Sequence, residues 1–353
     1  MTEFAQKLIK WWRQNGRKDL PWQRNKTAYR VWVSEVMLQQ TQASTVVPYF
    51  KRFLTRFPSV HRLAKASEDE VLEYWTGLGY YRRARHLHMA AIQIVGKHAG
   101  QIPDSVDTLT SLPGIGRSTA GAIVAIAFRQ TAPILDGNVR RVLSRFYAIN
   151  GERGVAKTEN RLWAHAEANT PIKQVDVYTQ AIMDLGATVC VRSKPKCPDC
   201  PLASECKAHR QGRELDYPSF VKRRSARVQH VRFFVVVNGQ GACLLQKRPP
   251  RGVWASLWSP PQYPQTTSVS VFGNDFGLPT TTIAKTFAGT KFRHAFSHYQ
   301  LEIEPIYVFL RASCSGIAET HDLRWHHPCD RAEFGLSAVA VKLLTEIDSK
   351  RAL

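Results

Sequence analysis

LPGIGRSTAGAIVAIAFRQTAPILD, residues Leu112 to Asp136, decides how the chain folds. Pro113-Gly114-Ile115-Gly116 predicts a tight turn: proline fixes one dihedral, and the two glycines allow backbone shapes and close approaches that side chains would block. Small and apolar residues from Ala120 to Phe128 then suit a buried helix. A helical segment over roughly Val106 to Ser111 precedes the turn, so the unit reads as helix–hairpin–helix. The amides of Gly114 and Gly116, at a helix start, can cradle a phosphate, although an ordinary glycine turn has the same local pattern. About a turn past the helix, Asp136 opens the run DGNVRRV. It suits a helix N-cap and a functional carboxylate equally. The two readings are compatible, because a carboxylate that accepts backbone N–H bonds at a helix start stays ionised, as a cation-stabilising group must.

The 353 residues suffice for two domains and a sizeable core. With 49 Lys and Arg against 28 Asp and Glu, the formal net charge is +21. Such a charge repels itself unless an anionic partner is near, which points to nucleic acid first and an anionic membrane surface second. No apolar run approaches the ~20 residues of a membrane span, and MTEFAQKLIKWW lacks the apolar core of a secretory signal. The expected location is a bacterial cytoplasm, at the nucleoid, with no membrane partner.

On the N-terminal side, residues 1 to about 16 predict an amphipathic helix, broken by Leu20-Pro21-Trp22. Helical spacing over Ala28 to Gln42 places Val31, Glu35 and Leu38 on one face. A carboxylate in an apolar stripe is either tied to an arginine or a neighbouring helix end, or is a general acid whose pKa apolar surroundings raise. Ser67 to Glu70 is a capping box for another helix. That helix ends near GLGYYRRAR, residues 77–85. There Leu78 and Tyr80 can wedge into a base stack, and Arg82, Arg83 and Arg85 can meet phosphates. A helix end followed by a solvated basic face would look alike.

Seven cysteines, four of them clustered, argue for a reducing compartment and a metal site rather than disulfides. Cys190, Cys197, Cys200 and Cys206 are spaced C-x6-C-x2-C-x5-C in a proline-punctuated loop. Four thiolates so spaced can close on a tetrahedral zinc or on an iron–sulfur cluster. Lys194, Lys196 and Lys207 give the loop a basic rim. Residues 214–229 read as a linker, dividing a domain at 1–213 from one at 230–353. Beyond it, Val231 to Val237 is a β-branched and aromatic run, Asn238-Gly239 signals a hairpin, and Ala242 to Gln246 returns as a strand. Residues 290–310 predict strand, bend, strand, and a last helix runs from about Ser337 to Ile347, giving an α+β domain.

These motifs together resemble the MutY-type adenine DNA glycosylases, of the helix–hairpin–helix superfamily, over nearly the whole chain. The residues that carry the likeness are VSEVMLQQTQ (33–42), GLGYYRRAR (77–85), LPGIGRSTAGAI (112–123), LDGNVRRV (135–142), QAIMDLGA (180–187), the four-cysteine loop and FRHAFSH (292–298). The resemblance implies a mostly α catalytic region with a [4Fe–4S] loop, since the cysteine spacing matches that of the family, plus a C-terminal Nudix-like α+β domain. That domain lacks the Glu-rich box that binds metal in Nudix hydrolases, so it is expected to read DNA rather than to hydrolyse. The resemblance makes Glu35 the catalytic acid and Asp136 the carboxylate facing the sugar. Ser118 stands where strand-cutting relatives carry a Schiff-base lysine, so the enzyme is expected to be monofunctional. Trp22 and Gln180 match positions that line the adenine pocket, and Gln39, Leu78 and Tyr80 match residues that wedge into the duplex. Phe296, Ser297 and His298 match the loop that reads 8-oxoguanine. The implied partner is double-stranded DNA with adenine opposite 8-oxoguanine or guanine, bound by a monomer.

Overall fold

A computed structural model of the chain describes residues 1–151, 154–219, 227–296, 299–311 and 317–351. Ser297 and His298 lie outside the described residues. The chain forms two compact units, Met1–Lys65 with His86–Lys222, and Ala66–Arg85 with Arg223–Leu353. In chain order the first helices are α1 (Glu3–Asn15), α2 (Ala28–Leu38), α3 (Ala43–Arg56), α4 (Val60–Lys65), α5 (Glu68–Trp75), α6 (Arg82–Lys97) and α7 (Val106–Thr110). They continue as α8 (Arg117–Ile123), α9 (Gly137–Phe146), α10 (Ala156–Asn169), α11 (Val175–Thr188) and α12 (Lys207–Arg210). The strands are β1 (Arg227–Val237), β2 (Cys243–Lys247), β3 (Trp258–Ser259), β4 (Gln262–Pro264), β5 (Ile283–Ala288), β6 (Phe292–Ala295), β7 (Tyr299–Leu310) and β8 (Leu323–His326). Helices α13 (Val269–Asp275) and α14 (Ala338–Arg351) accompany them.

The first unit is helical. The apolar faces of α1 and α11 meet, as do those of α9 and α11, and α2 lies on α8. The hairpin between α7 and α8 is the expected one, and α8 runs on into a π-type turn, Val124–Phe128. Its two glycines do different jobs. Gly114 has φ +76°, and a Cβ there would sit 2.7 Å from Cβ of His86, so both the backbone and the close approach to α6 demand glycine. Gly116 is ordinary extended backbone at the N-cap of α8, with open space where a side chain would stand. The helix expected over residues 28–42 stops at Leu38, because Gln40 takes φ +59°, which a right-handed helix cannot hold; α3 starts afresh after Gln42.

The second unit is α+β. Its sheet runs β3-β2-β1-β7-β5, with β4 on β1, β6 on β7 and β8 on β2. β1 and β2 are antiparallel, but the turn is longer than an Asn-Gly pair: Asn238 N–H donates to the Ala242 carbonyl at 2.9 Å, and the Asn238 side chain accepts from Gln240 and Ala242. β1 starts at Arg227, three residues inside the expected linker, and pairs in parallel with β7 over its whole length. Phe233 to Val237 are all buried, as in a strand covered on both faces. Phe234, Val236, Leu244, Ile306 and Val308 pack with Phe272 of α13 on one of those faces. β6 and β7 form the expected strand–bend–strand hairpin. Segment 66–85, with its Ser67-capped α5, belongs to this unit despite lying early in the sequence.

Gly114→Ala should lower stability by about 1–3 kcal/mol, the cost of a strained backbone plus a clash, whereas Gly116→Ala should stay within about 0.5 kcal/mol. Urea midpoints of the two variants test this, and equal losses would contradict it.

Candidate active site

Glu35 sits on α2 between Ser34 and Val36, both buried, and is itself half-buried. Burial pushes its carboxyl up to about 8, and the charge of Asp136 pushes in the same direction. Helix spacing therefore places this side chain where its acid form survives at neutral pH.

Asp136 is the N-cap of α9. Its Oδ1 accepts the Asn138 N–H at 3.1 Å and the Val139 N–H at 2.8 Å, and Oδ2 accepts from Asn138 Nδ2 at 3.3 Å. Burial raises this carboxyl above its ordinary range, which bare N-cap logic does not anticipate. The two backbone N–H bonds, the Arg141 charge and the Asn138 amide all pull the other way. Of two carboxyls that feel each other, Asp136 has backbone and side-chain donors that favour its anion, whereas Glu35 is dominated by desolvation and by the Asp136 charge.

Arg141 supports Asp136 from behind. It donates to Asn138 Oδ1 at 2.8 Å, to the Gly186 carbonyl at 2.6 Å and to the Cys190 carbonyl at 2.6 Å. Gly186 lets α11 approach α9 this closely, since a Cβ there would meet Cβ of Asn138 at 2.6 Å. Asn138 and Arg141 lie inside the DGNVRR run, but nothing in their spacing marks them as supports.

The other expected residues fall in several places. Trp22 is buried, edge-on to Phe50 at 5.6 Å. Gln180 is buried on α11 and donates to Asp184 Oδ1 at 3.2 Å. Asp184 is fully buried and also accepts from Trp12 and from the Arg17 guanidinium and backbone, so it fixes both Gln180 and the end of α1. The i, i+4 spacing from Gln180 to Asp184 is the signal that could have found it. Ser118 Oγ accepts the Leu135 N–H at 3.0 Å, tying α8 to the strand-like run before Asp136. Gln39 ends α2 and donates to Thr119 Oγ1 at 3.3 Å. In the second unit Tyr80 is 47 % exposed with φ +50°, whereas Leu78 is buried. Phe296 stacks on Tyr299 at 4.8 Å and meets Trp254 at 5.0 Å.

Cys190, Cys197, Cys200 and Cys206 line one cavity of about 30 Å³, walled by apolar side chains including Val142, Phe146, Leu185 and Leu202. Burial, with Glu214 beside Cys197 and the other cysteines beside Cys200, pushes the thiols of Cys197 and Cys200 up to about 11 and about 12. Four cysteines lining one small, apolar-walled cavity fit a metal centre. Arg145, 2 % exposed, clasps both ends of the loop. It donates to Cys190 Sγ at 3.3 Å and the Val191 carbonyl at 2.7 Å on one side, and to the carbonyls of Glu214 and Tyr217 on the other. His209 and Glu214, 2.5 Å apart, stand beside Cys197.

Residues 33–168 match the HhH-GPD superfamily base excision DNA repair proteins, and residues 232–346 match the NUDIX domain. An adenine DNA glycosylase of Buchnera aphidicola is 37 % identical over 341 residues, covering 97 % of this chain and 96 % of that protein. The chain belongs to the adenine DNA glycosylase family. The Homo sapiens adenine DNA glycosylase is 42 % identical over 220 residues, 60 % of this chain and 40 % of that protein. Among solved structures, a thermostable thymine-DNA glycosylase is similar at a TM-score of 0.54 and 25 % identity, over 59 % of this chain and 95 % of that one. An endonuclease III–DNA complex, at 21 % identity, TM-score 0.50 and coverage of 59 % and 94 %, shares the fold. As an adenine DNA glycosylase family member the chain is an enzyme of base excision repair that acts on DNA. No helix among the described residues is long and apolar enough to cross a membrane.

The raised Glu35 carboxyl has a stability consequence. From pH 4.5 to about 8 the folded chain keeps a proton that the unfolded chain has lost, so stability falls as pH rises through that window. Glu35→Gln removes the effect. Melting temperature should therefore drop more steeply for wild type than for Glu35→Gln across this range, and parallel curves would contradict the burial of Glu35.

Proposed function

We propose that the protein hydrolyses the N-glycosidic bond of adenine mispaired with 8-oxoguanine or guanine in double-stranded DNA and leaves an abasic site. The single observation that carries this reading is a pair of carboxyls in unlike surroundings, Glu35 pushed to about 8 by burial and Asp136 clasped by backbone N–H groups. Adenine must leave the stack, at a cost of a few kcal/mol, and enter a pocket. Trp22 and Gln180 line that pocket, as the family resemblance implies, with Asp184 holding the Gln180 amide. Adenine is a poor leaving group until protonated. Glu35, neutral at pH 7, gives its proton to N7 of the purine, the atom assigned by the family resemblance. The bond then breaks with oxocarbenium character, as in glycoside hydrolysis. Asp136 stabilises the cation or bonds to it briefly, and water completes the step.

The Gly114–Gly116 hairpin grips the backbone phosphate through amides at the start of α8, where the open side of Gly116 leaves room for it. Gln39, Leu78 and Tyr80 enter the duplex around the vacated position. Phe296, with Ser297 and His298, reads the oxidised base. Ser118 has no amine with which to form a Schiff base, so the enzyme is monofunctional. Cys190, Cys197, Cys200 and Cys206 hold one [4Fe–4S] cluster. When bound, the cluster cross-links the loop that Arg145 closes and adds no chemistry to glycosidic cleavage. The protein works as a monomer, and in the bacterial cytoplasm, at the nucleoid.

Incubation with duplex carrying adenine opposite 8-oxoguanine tests the reading. Free adenine should appear, with strand breaks only after alkali, and Glu35→Gln should bind the duplex while losing at least about 10²-fold in excision rate, the scale of general acid catalysis. Breaks without alkali, or a Glu35→Gln variant that loses binding in step with rate, would contradict it. Purified protein should be brown and carry about four irons per chain; a colourless, zinc-loaded, active protein would overturn the cluster.

A further inference from the structure

The turn that carries Leu78 and Tyr80 belongs structurally to the C-terminal half of the chain. Its glycines take φ +94° and +77°, and Trp75 Nε1 donates to the Gly79 carbonyl, which shapes the turn from within. Arg83 donates to the Gly79 carbonyl at 3.1 Å and adds local support, and further support comes from beyond residue 240. The Tyr81 hydroxyl accepts the Gly77 N–H at 3.2 Å and donates to the Leu336 carbonyl at 3.3 Å. Leu336 N–H in turn donates to Thr76 Oγ1 at 3.3 Å. The backbone at Gly335 lies against α5, where a Cβ would come within 2.5 Å of Cβ of Leu72. This segment is fixed to the sheet: Trp258 N–H donates to Gly335, and Ser337 N–H donates to Trp258.

Three further ties run the same way. Lys247 Nζ and Trp258 Nε1 both donate to the Asp69 carboxylate, at 2.8 and 3.3 Å. Arg331 donates to Glu73 Oε1 at 2.7 Å and to the Tyr74 hydroxyl. Arg85 donates to the Pro250 carbonyl at 2.8 Å. Pro250 lies in the same loop as Trp254, whose ring contacts Phe296.

We propose that the C-terminal domain positions the duplex wedge, with Tyr81 and Leu336 as the positioning residues, so that Tyr80 and the base-reading loop at Phe296 act as parts of one body. This rests on the reading of the protein as an adenine glycosylase with a wedge at Leu78 and Tyr80. Reading of the opposite base and opening of the stack are then mechanically linked: a domain seated on the lesion brings the wedge to its place. Tyr81 touches no DNA in this scheme and acts through the turn.

The test uses the full chain as wild type, Tyr81→Phe and Arg331→Ala. Two-aminopurine beside an adenine:8-oxoguanine pair reports unstacking by fluorescence, without any chemistry. Wild type should raise the fluorescence on binding, and Tyr81→Phe should raise it severalfold less. Single-turnover excision should fall about tenfold for Tyr81→Phe, the scale of one lost buried hydrogen-bond bridge. The loss should largely vanish on a duplex in which flanking mismatches have already unstacked the adenine. Arg331→Ala, altered at an exposed side chain that leaves the fold intact, should change the fluorescence in the same direction, and it decides the question if Tyr81→Phe does not fold. Equal fluorescence for wild type and the folded variants, or equal excision losses on both duplexes, would overturn the proposal. If wild type unstacks the probe yet releases no adenine, the enzymatic reading fails and the positioning claim still stands on the fluorescence.

Discussion

Two carboxyls held in one poorly solvated place, with unequal help, are the constraint on which the rest of this structure depends. Desolvation alone would neutralise both. The N-terminus of α9 breaks the tie by offering Asp136 two backbone N–H groups, and the Asn138 amide and Arg141 reinforce it. α2 offers Glu35 no comparable anchor in its electrostatic surroundings, so burial and the neighbouring anion dominate there. Local backbone geometry thus sets the two carboxyls apart.

Much of the first unit serves to keep α9 where it must be. Its start is tied through Asn138 and Arg141 to α11 and to the first cysteine of the loop, and Gly186 permits the close approach. Further along α9, Arg145 reaches the other side of the same loop and joins its two ends. The cysteine loop is therefore a brace on the helix that Asp136 caps, and a metal centre there would stiffen the brace. Ser118 gives a second tie, from α8 to the run that leads into Asp136.

The sequence was most informative where chemistry and local geometry coincide. The turn after Pro113, the N-cap at Asp136, the carboxylate on the buried stripe of α2 and the four-cysteine spacing are all local patterns, and local patterns survive folding. The losses have physical reasons. α2 ends at Leu38 because Gln40 is driven into a left-handed conformation, for which glutamine gives no warning. Gly116 needs no glycine for its own backbone, so its resemblance to Gly114 misleads. The parallel pairing of β1 with β7 joins residues about seventy apart and leaves no periodic trace. Arg145 is a buried charge whose partners come from distant segments, and buried Asp184 joins nearby Gln180 to Trp12 and Arg17 far back in the chain. The attachment of segment 66–85 to the C-terminal half depends on such distant partners throughout.

A site-resolved titration of the two carboxyls tests the central claim most directly. Carbon-13 NMR of side-chain carboxyls, assigned with Glu35→Gln and Asp136→Asn, would follow each group in the folded protein. The expected result is a Glu35 carboxyl that titrates near 8, above the carboxyl of Asp136, whose anion the α9 amides favour. A Glu35 that titrates in the ordinary carboxylate range, or an Asp136 that holds its proton above Glu35, would contradict the division of roles on which the proposed chemistry stands.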